Sequence, residues 1–361
     1  MLLLAGQVSA SAAAIAPCGK APLCYGPAEL RTAYDVPSST TGAGMTIVIV
    51  AGFDSPVVTT DLALFDGALG LPAANLTIYT PDGPTPFNSK DPVQVGWAGE
   101  ESTDVEWAHA IAPGANLVLV EAKTGDDADI MSAIKYAIDN NLGDVISMSF
   151  SDGESCSSPE FLADQHAAFE KAVAKGITLV AASGNTGGFQ QCADGSVVAA
   201  VASPASDPLV TAVGGTDLVA DAATGTYQSE KELKSSGGGF SAVYGRPSYQ
   251  APFQKNNGAR GVPDVAWSAS RTHATLVVFH GRPSPVAGTS VATAEWAGVV
   301  ALADEAAGHR LGAINKALYH AAKSHGAEDR FHKVSGQGWD NSTGLGTPDV
   351  SNLVEWIAAH D

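Results

Sequence analysis

Met45-Thr-Ile-Val-Ile-Val50 is an unbroken run of apolar, mostly β-branched residues. A strand with one wet face alternates polar and apolar positions, so a continuous run reads as a strand covered on both faces, as in a parallel sheet. Runs of this kind recur at Asn116-Leu-Val-Leu-Val-Glu121, Asp144-Val-Ile-Ser-Met-Ser149, Ile177-Thr-Leu-Val-Ala-Ala182 and Leu209-Val-Thr-Ala-Val213. Between them the period changes. Asp129–Asn141 carries Ile130, Ile134, Ala137 and Ile138 on one helical stripe, and Phe161–Lys175 is rich in alanine. A short helix is expected at Pro27–Ala33, and a long apolar one at Val291–Ala306, directly after Val286-Ala-Gly-Thr-Ser290. Strand and helix in this rhythm predict an α/β fold with a doubly wound, mainly parallel sheet and right-handed crossovers. With no internal repeat or low-complexity linker, residues 25–361 read as one domain behind a signal-like or linker segment, 1–24.

Composition narrows the functions open to such a domain. The 361 residues are 45% hydrophobic and carry 38 acidic against 19 basic side chains, a net charge of −19. That balance argues against nucleic acid and anionic membranes as partners, both of which demand basic patches. It suits an extracellular or acidic setting. Met1–Ala14 is similar to the tail of a secretory signal, though without a basic n-region, and no apolar run reaches membrane-spanning length. Secretion is the expected localisation. Cys18, Cys24, Cys156 and Cys192 form no metal-binding spacing. The most economical pairing is Cys18–Cys24 with Cys156–Cys192, and buried free thiols are the alternative.

Chemistry is expected at the carboxyl ends of the buried strands and at helix entries. Gly288-Thr-Ser290 has two readings: a serine capping a helix, or a nucleophilic hydroxyl with room around it at the positive end of that helix. In Gly99-Glu-Glu-Ser-Thr-Asp-Val-Glu-Trp107, Glu100 and Asp104 share a face if the segment is helical. Carboxylates that close share a proton, and one is raised enough to serve as base or acid. A solvated acidic first turn is the alternative. Glu101 and Glu106 read as solvated, and His109 as packed on the helix. Asn185, in Ala182-Ser-Gly-Asn after a buried strand, is placed to donate its amide to an oxyanion or simply to shape a turn. Ser236, Gly237, Gly238 and Gly239 read as a bare edge along which an extended peptide lies.

The order of these motifs carries further information. Glu100-x3-Asp104 is followed by Ala182-Ser-Gly-Asn185, Ala212-Val-Gly-Gly-Thr216, Ser236-Gly-Gly-Gly-Phe-Ser241, Val262-Pro-Asp-Val265, Gly288-Thr-Ser290 and Gly338-Trp-Asp-x-x-Thr-Gly-Leu-Gly346. From about Tyr25 onward the chain resembles the sedolisins, the serine-carboxyl peptidases that include the kumamolisins. The resemblance implies a subtilisin-like fold and an endopeptidase acting on protein or peptide substrates through an acyl-enzyme. It casts Ser290 as nucleophile, Glu100 as base, Asp104 as its partner and Asn185 as oxyanion donor. Histidine-dependent subtilisins are excluded, because the first buried strand ends Val50-Ala51-Gly52 without aspartate and no Gly-x-His is present.

Four departures from the family pattern stand out. Asn185 replaces an aspartate that must be protonated to donate, so activity is expected to extend towards neutral pH. Phe331-His332-Lys333-Val334 has lysine where the family places a calcium-ligating aspartate. No metal cofactor is expected, with the Lys333 ammonium paired to Asp340 near the calcium position or, alternatively, merely on the surface. Ala294 and Glu295 follow the serine where proline and an apolar residue are usual, a matter of packing. The family's prodomain does not fit in the segment before Tyr25 and is absent, encoded separately or lost. A degenerate relative that binds peptides or a partner without cleaving them is the competing expectation.

Overall fold

The computed structural model describes residues 23–192, 194–254, 258–334 and 338–360. Its strands relevant here are β1 (Leu23–Tyr25), β2 (Thr46–Gly52), β3 (Asn75–Tyr79), β4 (Asn116–Ala122), β5 (Val145–Met148), β6 (Thr178–Ala182), β7 (Thr211–Ala220), β8 (Tyr227–Glu232), β9 (Val265–Ser268), β10 (His273–Phe279) and β11 (Arg282–Val286). The helices are α1 (Pro27–Ala33), α2 (Val58–Leu69), α3 (Pro92–Ile111), α4 (Asp127–Asp139), α5 (Pro159–Ala174), α6 (Thr289–Ala307), α7 (Asn315–Lys323) and α8 (Val350–His360).

The central sheet runs β8-β7-β6-β5-β2-β4-β3, with β9 also paired to β7, and only β7–β8 is antiparallel. Both faces are covered, which explains the unbroken apolar runs. Ile47, Ile49, Leu117 and Leu119 point into a core shared with α2, α3, α6 and α8. Their alternates Val48, Val50, Val118 and Val120 point into a second core under α4 and α5. Elements invisible as apolar runs are the sheet edges: β3 is largely exposed, and β8, Tyr-Gln-Ser-Glu-Lys-Glu, is polar throughout. Polar edges keep a sheet from pairing with other chains. A separate ribbon of β10 and β11, extended by β1, lies beside α2 and α3.

Two close approaches position the site. The helices α3 and α6 cross at Gly298, where a Cβ would come within 2.6 Å of the Ile111 Cβ. The opposite flank of α3 docks on β10. The Trp107 indole donates to the Leu276 carbonyl at 2.9 Å, and the Val278 N–H donates to Glu106 at 2.8 Å. The Cys156–Cys192 disulfide forms as read, with Cα atoms 5.5 Å apart. The pairing that involves Cys18 lies outside the described residues. Among the described residues no helix is long and apolar enough to cross a membrane.

Candidate active site

The helix α3 begins with Pro92 in its first turn and an Asp91 carboxylate that accepts the Val93 N–H at 3.0 Å. Its 20 residues place Glu100 and Asp104 in the middle, one turn apart, so neither belongs to a solvated first turn. Asp104 is fully buried and Glu100 partly so. Gly288, whose φ of 136° is a glycine conformation, caps the helix α6, and Ser290 is the second residue of that helix. The serine therefore does not cap the helix.

These elements meet through Ser149, which follows β5. The Ser149 hydroxyl donates to Asp104 Oδ1 at 2.8 Å, and the Ser290 hydroxyl donates to the Ser149 carbonyl at 3.2 Å. The Ser290 hydroxyl also reaches the Glu100 carboxylate, which it stabilises slightly. Burial is the larger influence and pushes Glu100 up to about 7. Burial first, then the charge of Glu100, raises Asp104 well above the usual carboxylate range. Glu100 Oε1 and Asp104 Oδ2 are buried without hydrogen-bond partners. A pair so placed retains one proton through neutral pH.

Asn185 follows β6. Its Oδ1 accepts the Thr289 N–H at 2.8 Å and the Thr289 hydroxyl at 3.2 Å. With the oxygen held from behind, the amide nitrogen is the atom left to serve the cleft. That cleft encloses about 570 Å³ and is lined by Glu100, Thr103, Asn185, Ser290 and the β10–β11 ribbon. A second hollow, lined by Trp97, Glu100, Ser149 and Phe150, adjoins it.

Several sequence readings need correction. Glu101 and Glu106 are not solvated; both are fully buried. Glu106 serves as acceptor for Val278, and Glu101, with both oxygens unpartnered, is raised by burial and then by Glu121 and Asp54. Ser236 to Gly239 do not line the cleft as a peptide edge. The Ser236 hydroxyl accepts from the Gly215 N–H at 2.9 Å and donates to the Ser342 carbonyl at 2.8 Å. A Cβ on Gly237 would fall 1.8 Å from the Ser183 carbonyl oxygen, and one on Gly238 would fall 1.7 Å from that of Asn341. These glycines let the segment back the Asn185 loop. Lys333 is exposed and forms no ion pair with Asp340. The Asp340 Oδ1 is occupied in its own turn, accepting from Ser342 N–H at 2.7 Å and Thr343 N–H at 2.9 Å. His109 packs as expected, its Nε2 2.8 Å from the Pro72 carbonyl oxygen.

Sequence reasoning passed over Ser149 and Thr289. Thr289 was inside the Gly-Thr-Ser motif; Ser149 was flagged only by ending a buried strand, where functional groups gather.

The family model described as Subtilase family matches residues 94–346. Kumamolisin of Bacillus sp. (strain MN-32) is 33% identical over 361 residues, covering 93% of this chain and 64% of that protein. The solved structure of Pseudomonas sedolisin, described as a serine-carboxyl proteinase complexed with two molecules of pseudo-iodotyrostatin, matches with a TM-score of 0.83. Its identity is 26%, over 93% of this chain and 98% of that one. The chain belongs to the subtilase family, on its sedolisin branch. Sphericase, at 19% identity and a TM-score of 0.57, shares the fold alone. This sedolisin spans under two thirds of its curated relatives, 64% of kumamolisin and 62% of the sedolisin of Pseudomonas sp. (strain 101). Within the sedolisin frame, Glu295 on α6 is fully buried and held well above the usual carboxylate range by burial, eased by the Trp267 indole. A neutral acid there packs against the core.

Proposed function

We propose that this sedolisin is a secreted serine-type endopeptidase that hydrolyses peptide bonds through an acyl-enzyme. Ser290 Oγ attacks the substrate carbonyl carbon while Glu100 takes its proton. Asp104, holding the proton that the buried pair retains, keeps Glu100 oriented and is itself positioned by Ser149. The Asn185 amide donates to the oxyanion that develops on the carbonyl oxygen. Glu100 then protonates the leaving amine; water, deprotonated by Glu100, attacks the acyl carbon, and Glu100 returns that proton to Ser290 Oγ as the acyl group leaves. The observation that carries this reading is the convergence of Ser290, a Glu100 raised to about 7 and Asn185 on one cleft.

Ser290→Ala and Glu100→Gln should each lower kcat on a peptide library by about 10³-fold or more, with melting temperatures near that of the unaltered protein. Cleavage that survives Ser290→Ala would defeat the assignment. Peptide binding without turnover by the unaltered protein would mark a non-catalytic relative instead. With lysine at 333 where the family pattern places a carboxylate ligand, calcium is dispensable on this reading, and thermal melts in EDTA and in calcium should coincide. A large calcium-dependent rise would overturn that part. Secretion is supported by the signal-like start and by the Cys156–Cys192 disulfide.

A further inference from the structure

The cleft that holds Ser290 is also lined by Arg271, which is exposed. Of the residues lining that cleft, Glu100 is the acid and Arg271 is the one cationic side chain. In a chain with 38 acidic and 19 basic side chains, a surface arginine has carboxylates in abundance. The described residues nevertheless give Arg271 no ion pair and no side-chain hydrogen bond.

Its mount is held on both sides. The Ala269 N–H donates to the Thr216 carbonyl at 2.9 Å, and the Ala269 carbonyl accepts the Gly288 N–H at 3.0 Å. The loop is therefore tied to the turn that presents Ser290. Ser270 is buried and its hydroxyl accepts the Thr272 N–H at 3.0 Å. His273 Nδ1 lies 2.9 Å from Asp217 Oδ1. A guanidinium on a fixed backbone loses little on forming a bidentate pair with a carboxylate. The nearby wall is apolar, with Val277, Phe279 and Pro285, so a bound peptide displaces water and the charge is less screened.

We propose that Arg271 selects substrates that carry a carboxylate beside the scissile bond, on the side of the cleft walled by β10 and β11. This rests on the peptidase reading above. Two sources supply such a carboxylate: an Asp or Glu side chain, or the free carboxyl terminus of a peptide cleaved near its end.

The test uses peptides of one neutral sequence in which each position flanking the cleaved bond is Glu or Gln in turn, each with a free or amidated carboxyl terminus. For the unaltered protein, kcat/KM should favour the carboxylate-bearing member by about tenfold. The ratio should fall to near one in Arg271→Gln and below one in Arg271→Glu. If the side chain is the source, the Glu/Gln ratio moves; if the terminus is, the acid/amide ratio moves. Ratios identical in all three proteins overturn the proposal. Binding of the same peptides, fluorescently labelled, to Ser290→Ala with and without Arg271→Gln reads the recognition independently of turnover. Total lack of cleavage would therefore sink the peptidase reading alone. Equal affinities for Glu and Gln peptides, and for acid and amide, would sink this one.

Discussion

Asn185 and the aspartate of the family pattern differ in when they can donate. A carboxyl group donates only while protonated and is lost as pH rises through its own value; an amide donates at every pH. The Thr289 N–H and hydroxyl, which hold Asn185 Oδ1, would hold a carboxylate oxygen equally well. Asn185→Asp should therefore keep its geometry and add an alkaline limb to kcat/KM, while both proteins lose activity on the acid side as Glu100 becomes protonated below about 7. Profiles that fall together as pH rises would show that the donor at this position does not set the range. At this scale the catalytic candidates were legible, since Glu100, Asp104, Asn185 and Ser290 each sat in a local pattern with a chemical reason. The burial of Glu101 and Glu106 was not. An acid-rich helical segment ordinarily faces water, and nothing local reveals that α3 is enclosed by α6 on one flank and by β10 on the other.

The pairing of α3 with α6 sets the distance between base and nucleophile, and Gly298 sets that pairing. Replacing a helical glycine by alanine ordinarily stabilises by about 1 kcal/mol. Here the new Cβ would lie 2.6 Å from Ile111 Cβ and 2.8 Å from its Cγ2. Those atoms are fixed close to the α3 backbone and cannot swing away, so overpacking of about 1–3 kcal/mol outweighs the gain. Gly298→Ala should lower the melting temperature by several degrees. It should also reduce kcat roughly tenfold or more through displacement of Glu100. Pairing it with Ile111→Ala should restore part of both. A more stable Gly298→Ala protein would refute the account. Element by element, legibility followed burial: β2, β4, β5, β6 and the start of β7 lie under helices on both faces and had to be apolar throughout. The edge strands β3 and β8 meet water and carry polar residues. The opening half of α3, with Gly96 and Gly99 facing the cleft, lacks an apolar stripe.

Across the whole molecule a set of enclosed carboxylates shares one electrostatic direction. Burial raises Glu100, Glu121 and Asp304 to about 7, and holds Glu101, Asp104, Glu106 and Glu295 well above the usual carboxylate range. A carboxyl whose folded-state value exceeds its unfolded one binds more protons when folded. Its stabilisation is complete below the unfolded value and is lost as pH rises through the folded one. Stability should thus be greatest near pH 4 and decline towards pH 8. Asp217, where burial raises but the Ser270, His273 and Lys231 hydrogen bonds together outweigh it, is lowered and acts the other way, contributing above the unfolded aspartate value and losing that as pH falls further. General repulsion from a net charge of −19 also grows with pH, and two measurements separate the causes. Added salt screens repulsion among exposed charges but reaches buried groups little, so a decline in melting temperature that persists in 1 M NaCl belongs to the buried acids. Glu121 lies on β4 opposite Ala51 and accepts the Ser55 N–H at 3.3 Å, a contact that an amide oxygen can keep. Glu121→Gln should leave the melting temperature at pH 4 nearly unchanged and raise it at pH 8. A uniform shift at both would mean that packing, and not the ionisation of this buried side chain, is what the substitution alters.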